Sequence, residues 1–279
     1  MPQAQITFLR PPGLPGVEMV TGHNVRTSFV RHVHQALVLG RMESGGRRIV
    51  HACGSVLAPA GCVFLIPAGL AHRCPGLTAE GQSYRLLCLR PESAAPGLLL
   101  SGLDEASAPA VFFESGLSQA LDRLFFAIER AAALPEVHAA LTAALHRLAG
   151  QPDAIAPLPR RPAGPAMVRA REYVAARATE PLPLERLGRH VGLSVCHVQR
   201  RFVEAFGVSP QELALGLRIR QARTLLEAGL PVADVALETG FYDQSHFSRQ
   251  FVRLMGIPPG RYARRAAACL SRLTPGDER

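Results

Sequence analysis

Lysine and tryptophan are absent from this chain of 279 residues, and aromatic residues make up only 6% of it. All 31 basic residues are therefore arginine, and with no lysine for contrast the count alone implies no arginine-specific chemistry. No run approaches the roughly 18 uninterrupted apolar residues of a membrane span. Met1 to Arg10 lack the basic start and long apolar stretch of a secretory signal, so a soluble, cytoplasmic protein with no membrane partner is expected. The six cysteines, Cys53, Cys62, Cys74, Cys88, Cys196 and Cys269, form no CxxC pair and no zinc-site spacing. They are expected to be reduced, mostly buried thiols. No Ser/His/Asp or phosphate-loop arrangement is evident, which leaves most enzyme classes without a basis.

What is present is a globular composition, 48% hydrophobic and 19% charged, on a chain long enough for two domains. The formal charge of +9 is unevenly placed. Residues 1–159 hold 12 Arg against 11 acidic residues, whereas residues 160–279 hold 19 Arg against 11. Nearly all the excess lies in the last two-fifths, which is therefore the half suited to a polyanion.

The first third reads as short strands separated by glycine and proline turns. Gln35 to Met42 and Arg47 to Val50 flank Glu43-Ser44-Gly45-Gly46, a hairpin signal, and Ala58-Pro59-Ala60-Gly61 reads as a turn. Cys62 to Ile66 and Tyr84 to Leu89 are further strands, and the pattern favours an antiparallel barrel or sandwich. From Ser118 to Leu148 the period becomes helical. Leu121, Leu124, Phe125, Ile128, Leu141, Leu145 and Leu148 mark two amphipathic helices interrupted at Pro135, able to pack on the strands or to form a dimer contact. Five prolines in 150–166 read as a semi-rigid linker. The expected organisation is 1–149, a strand-rich domain ending in helices able to form a dimer contact; 150–166, a linker; and 167–266, an all-helical domain.

In that helical domain one unit occurs twice: a short helix, a glycine turn and a capped helix. Leu184 to Val191 leads through Gly192 to a helix capped by Ser194 and ending at Gly207; Val232 to Glu238 leads through Gly240 to a helix capped by Asp243 and ending at Gly256, with Pro258 and Pro259 closing it. Leu187, Val191, Val198 and Phe202 are matched by Val235, Leu237, Phe247 and Phe251. The apolar stripes Val198, Phe202, Ala205 and Phe247, Phe251, Leu254 leave Cys196, Gln199, Arg200 and Gln244, Ser245, Arg249 facing out. Arg bridges guanine O6/N7 and Gln bridges adenine N6/N7, so this face suits base edges in a major groove. His246 is expected to face outward and His197 to pack between helices. A helix of 18 residues, Gln211 to Ala228, connects the units over about 27 Å, which with the flanking helices spaces two reading heads about one duplex turn apart.

Residues 167–264 resemble the DNA-binding domain of the AraC/XylS family of bacterial transcription regulators. The resemblance rests on Leu187, Gly192, Ser194, Arg200, Phe202, Gly207, Ser209, Pro210, Arg218, Ala222, Leu225 and Leu226. It is denser in Val235-Ala236, Gly240-Phe241, Asp243-Gln244-Ser245-His246-Phe247-Ser248-Arg249, Phe251, Gly256, Pro259 and Tyr262. It implies base or groove contact by Cys196, Gln199, Arg200, Gln244, Ser245, His246 and Arg249, with double-stranded promoter DNA as partner. Gly188, Leu213 and Ala263 depart from the family pattern; the first two are expected to loosen the first helix pair, the third to remove a phosphate contact that Arg264 replaces.

The strand-rich half is similar to the cupin-like effector domain that precedes this helix-turn-helix pair, so the fold class expected is α+β: an antiparallel β-barrel, then helices, then an all-α double helix-turn-helix domain. Arg31-His32-Val33-His34 and Pro67-Ala68-Gly69-Leu70-Ala71-His72 bear on a metal: His32 and His34 share one strand face, and with His72 they make a three-nitrogen set for Zn, Fe or Ni. The glutamate that metal-binding cupins place beyond HxH is replaced by Val38 and Leu39, so the set is incomplete and no cofactor is assigned. A small-molecule pocket lined by Arg31, His32, His34, Arg41, His72 and Tyr84, with Arg73 nearby, is the preferred reading. The leading function is a transcription regulator, expected as a homodimer that contacts RNA polymerase where it activates. The competing readings are a metal-dependent cupin enzyme fused to a DNA-binding module and a redox-responsive regulator acting through Cys196.

Overall fold

The structure, a computed structural model, describes residues 5–90, 107–151 and 163–271, with side chains as far as residue 265. Most of the expected linker, 152–162, and Cys269 lie outside these described residues and side chains.

Among the described residues, ten strands form two antiparallel sheets. The six-stranded sheet runs β1 (Gln5–Leu9), β2 (Val17–Val25), β9 (Gln82–Leu89), β4 (Leu37–Ser44), β7 (Val63–Ile66), β10 (Ala110–Phe112). The four-stranded sheet runs β3 (Phe29–His32), β8 (His72–Cys74), β5 (Gly46–His51), β6 (Gly54–Pro59). Strand β4 shows how two-residue alternation builds two cores: Val38 and Met42 enter the core shared with Ile49, Phe64 and Tyr84, while Leu37 and Leu39 face the helices with Leu65, Leu87 and Leu89.

Several local expectations change. Glu43-Ser44-Gly45-Gly46 is not a hairpin turn, because β4 pairs with β7 and β9 whereas β5 pairs with β6 and β8. Its Gly45, at φ +68°, takes the chain from one sheet into the other. The hairpin is β5–β6, turning at Ala52 and Cys53. Ala58 and Pro59 belong to β6, so the expected turn is confined to Ala60 and Gly61.

Helices α1 (Ser115–Glu129) and α2 (Leu134–Ala149) bury all seven apolar residues named above, against each other and the six-stranded sheet. Pro135 stands in the first turn of α2 and starts that helix rather than interrupting it. Among the described cysteines, Cys62 and Cys74 are buried and Cys88 is half-buried, but Cys53 and Cys196 are exposed.

The helical half comprises α3 (Pro165–Ala176), α4 (Leu184–Val191), α5 (Val195–Phe206), α6 (Pro210–Glu227), α7 (Val232–Glu238), α8 (Gln244–Met255) and α9 (Pro259–Ser271). Helix α9 has no counterpart in the expected element order: Pro259, expected to close the helix before it, opens it. The repeat of α4–α5 in α7–α8 has one changed partner. Leu237 is 68% exposed, and the counterpart of buried Val191 is Thr239, four residues after Val235 as Val191 is four after Leu187. Thr239 is fully buried and its hydroxyl donates to the Val235 carbonyl at 2.6 Å, which satisfies a polar group in an apolar setting. Phe202, Phe247 and Phe251 are also fully buried, each contributing about 1.5–3 kcal/mol of apolar transfer. Ala205 and Leu254 are only half-buried, and Phe206 completes the first stripe.

Candidate nucleic-acid interface and histidine cluster

Each reading helix begins with a filled cap and ends in a left-handed glycine. The Ser194 hydroxyl accepts from the His197 amide at 3.4 Å, and Asp243 Oδ1 accepts from the His246 amide at 2.6 Å. Gly207 and Gly256 end the helices at φ +73° and +75°. Cys196, Gln199 and Arg200 are exposed on α5, as are Gln244, Ser245 and Arg249 on α8. His246 is half-buried, with its ring edge-on to Phe241 at 5.5 Å between centroids. His197, expected between helices, is exposed beside the reading face. Their neighbours Val195, Val203, Ser248 and Val252 are half-buried.

The connection between the two heads is rigid. Helix α6 is continuous from Pro210 to Glu227 and starts in a reciprocal capping box, with Glu212 N donating to Ser209 Oγ (3.2 Å) and Ser209 N donating to Glu212 Oε2 (2.7 Å). From its middle, Arg218 donates to the carbonyls of Ala178, Glu180 (2.7 Å) and Gly240 (2.9 Å). One guanidinium thereby ties the loop after α3 to the turn of the second unit. At that turn Gly240 has φ +76°, and a Cβ there would lie 1.9 Å from the Thr179 carbonyl oxygen. Gly188 has a similar role in the first unit: a Cβ would lie 2.6 Å from the Leu193 oxygen. This glycine tightens the α4–α5 turn, contrary to the expected loosening.

The histidines converge in the β half. His72 on β8 stands opposite His32 on β3, and His34 lies just beyond the end of β3. The ring centroids are 4.5 Å apart for His32–His72, 4.8 Å for His34–His72 and 5.6 Å for His32–His34. Each Nδ1 is paired with a backbone carbonyl: Val30 at 2.7 Å, Ala36 at 2.8 Å and Leu70 at 2.9 Å for His32, His34 and His72 respectively. Burial pulls all three below the ordinary imidazole range, His34 to about 4, and His32 reinforces this at the other two. With each Nδ1 donating to a backbone carbonyl, a neutral ring keeps its Nε2 lone pair free, and one ring nitrogen of each histidine lies within 4.8 Å of the other two.

The ligand-binding model described as AraC-like matches residues 14–149, and a helix-turn-helix model matches residues 187–265. The chain belongs to the AraC/XylS family. The uncharacterized HTH-type transcriptional regulator YbfI of Bacillus subtilis (strain 168) is 26% identical over 236 residues, which covers 82% of this chain and 85% of that relative. GlxA, an HTH-type transcriptional regulator of Rhizobium meliloti (strain 1021), is 32% identical over 105 residues, 37% of this chain and 32% of GlxA. ToxT from Vibrio cholerae O395 shares the fold, with a TM-score of 0.56 and 14% identity over 94% of this chain and 98% of that one. The chain is a DNA-binding transcription regulator with an effector-binding domain, and no helix among its described residues is long and apolar enough to cross a membrane.

The rest of the expected effector set does not assemble in this AraC-type regulator. Arg31 projects away from the histidines and donates to the Gly207 carbonyl at 2.9 Å. Arg41, on the six-stranded sheet, lies 3.7 Å from Asp122 on α1, and Arg73 is exposed. Tyr84 is buried in the core, where burial pushes its hydroxyl up against the opposing charge of Arg47. Arg47 itself escaped the sequence reading. It is 3% exposed, donates to Gln82 at 3.0 Å and lies 4.1 Å from the Tyr84 ring centroid. Its signal was alternation: Arg47 shares a strand face with buried Ile49.

A charged clasp between the halves was also missed. Glu18 on β2 accepts from Arg10 (2.9 Å) and from Arg223 on α6 (2.5 Å); Arg223 also donates to the Tyr262 hydroxyl (2.9 Å), which donates to Glu227. Burial pushes the Glu18 carboxyl up, but the Arg223 and Arg10 charges outweigh it and hold it below its ordinary value. Nothing local in the sequence joins residues 205 positions apart.

Proposed function

We propose that this regulator reads two successive major grooves from one side of the duplex. Cys196, Gln199 and Arg200 face one groove, and Gln244, Ser245, His246 and Arg249 face the next. The observation that carries this reading is the common orientation of attachment: both reading helices bear on the β half through their C-terminal glycine ends, with their capped, polar N-terminal halves free. Arg31 bonds Gly207 at one end, and a Cβ on Gly256 would meet Ile6 and Phe29 at the other. The Arg-rich half supplies the phosphate attraction, and free N–H groups at the helix starts favour nearby phosphates.

A small-molecule effector in the N-terminal half shifts the placement or pairing of the helical half through its differential affinity for two states. Two chains pair through the helices on the six-stranded sheet. Support for that contact comes from Phe113, just ahead of α1, and Phe126 on α1, which are 72% and 63% exposed. The setting is cytoplasmic, the role is binding rather than turnover, and RNA polymerase is the further partner where the outcome is activation.

Selection of genomic fragments by the purified protein yields the sites to test. Inserting about five base pairs between the two contacted segments turns them half a helical turn apart. Affinity is expected to fall by about a hundredfold or more, to the level of non-specific binding. Unchanged affinity would remove the rigid two-groove reading. Binding should also weaken steeply between about 50 and 200 mM salt.

A further inference from the structure

We infer that His32, His34 and His72 form a binding site for a divalent transition metal of the zinc class, placed so that the metal governs how the β half grips the DNA-binding half. One ring nitrogen from each histidine lies within 4.8 Å of the other two. All three Nδ1 atoms are engaged by backbone carbonyls, the outer partners that fix a metal-binding imidazole in its tautomer and aim Nε2 inward. Three facing lone pairs repel one another, and a cation converts that repulsion into bonding. The Arg47 guanidinium, which acts on His72, opposes a second positive charge there, and the three nitrogen donors must outweigh it. Neutral imidazoles suit zinc, nickel or copper(II) better than magnesium or calcium. No carboxylate joins the group among the described residues, so the set is three nitrogens with one position open.

The coupling follows from alternation along 31–35. His32 and His34 turn toward His72. Between and beside them, Arg31 donates to Gly207 at the end of α5, Val33 packs with the first helical unit, and Gln35 accepts from Arg220 on α6. Ala71, next to His72, is buried in the same cluster as Val198 and Phe202. Zinc–nitrogen bonds of about 2.0–2.1 Å bring tetrahedral donors to about 3.4 Å from one another, inside the 4.8 Å that spans the three nitrogens, so binding draws the widest pair closer. The segment that must contract is the one holding the first reading unit. The site itself is independent of the two-groove reading; its regulatory consequence rests on that reading.

The test uses the full chain, stripped with a chelator and titrated with zinc alone. One zinc per chain is expected, with a rise in melting temperature, and cobalt(II) should give visible d–d bands of a low-coordinate nitrogen site. His34→Ala combined with His72→Ala should lose all three signals, and His34→Gln, which keeps a polar group of similar size, should weaken them in a chain that still melts cooperatively. No stoichiometric zinc and no cobalt bands in the unmutated chain, or equal uptake by the double variant, would overturn the site. For the coupling, zinc should change affinity for a selected duplex by about fivefold or more, and Arg31→Ala should keep the zinc but lose most of that change. Zinc bound with DNA affinity unmoved would overturn the coupling. A chain that takes up zinc but never prefers the selected duplex would leave the site standing and defeat the two-groove reading instead.

Discussion

In the first helical unit Arg200 has Glu204 one turn behind it, 3.8 Å from Nε to Oε1, and both side chains are exposed. In the second, Arg249 makes no ion pair among the described residues. The attachments differ as well. The first unit meets the β half without an ion pair among the described residues: Val33 and Ala71 pack against it, and the Arg31 guanidinium donates to the neutral Gly207 carbonyl. The second is fastened through α6 and α9 by Glu18, Arg10, Arg223, Tyr262 and Glu227. One supersecondary plan has therefore been given a self-screened reading face docked without ion pairs, and an unscreened reading face whose docking adds ion pairs to the apolar contact of Gly256 with Ile6 and Phe29. Identical local rules of capping and burial leave the surfaces free to differ, and the surfaces decide what each unit senses.

The sharpest way to break this pairing is at the turn glycines. Gly240→Ala puts a Cβ onto the Thr179 carbonyl at a left-handed backbone position, and backbone on both sides has no rotamer with which to yield. A loss of about 3 kcal/mol or more is expected, read as a fall in melting temperature with DNA binding lost in parallel. Gly188→Ala meets one carbonyl at 2.6 Å from an ordinary helical conformation, with alanine's helix propensity partly offsetting the contact. Its loss should be about 1–2 kcal/mol. Equal, small losses at the two sites would mean that the second turn is no more constrained than the first.

The ion-paired docking should be acid-sensitive in a way the docking without ion pairs is not. Glu18 has its folded pKa lowered from 4.5, so its contribution is complete above about that pH and is lost as pH falls through the lowered folded value. Glu18→Gln should cost about 2 kcal/mol at neutral pH and should flatten the stability curve of the whole chain below pH 4.5. Hydrogen exchange should show α9 and the end of α6 opening before α4 and α5 as the wild type is acidified. A variant with the same acid response as wild type would remove Glu18 from the clasp.

Much of this molecule was legible because its rules are local. Ser194, Asp243, Gly207 and Gly256 mark helix ends by backbone chemistry, and the apolar spacing of Val198 with Phe202 or Phe247 with Phe251 fixes which face is buried. The convergence of His32, His34 and His72 was readable from the HxH alternation and the later histidine. What escaped depends on partners distant in sequence. Strand order cannot be read from a turn, so Gly45-Gly46 looked like a hairpin although it joins two sheets. The expected pocket dispersed because Arg31 turns to the Gly207 carbonyl and Arg41 to Asp122, while Tyr84 is buried in the core beside Arg47. Leu237 was misplaced by matching residue type instead of the four-residue step, which selects Thr239. The clasp from Glu18 to Arg223 exists only after both halves have folded and met.

The remaining contrast lies on the reading faces and has the smallest energies. Arg249→Ala should cost about 1–3 kcal/mol of specific binding if the guanidinium bridges a base. Arg200→Ala should cost less, because in the free protein Arg200 already has a partner that it must give up on binding. The pair is exposed and is worth only about 0.2–1 kcal/mol, so the screening is partial. Glu204→Gln removes the competitor without touching the base-facing groups, and it should therefore tighten binding by a few tenths of a kcal/mol while bringing the cost of Arg200→Ala up toward that of Arg249→Ala. The measurement is a double-mutant cycle between positions 200 and 204, with affinities for selected and scrambled duplexes at one fixed salt concentration. A coupling near zero, with the two arginines still unequal, would place the asymmetry in the bases they face and not in the carboxylate behind Arg200.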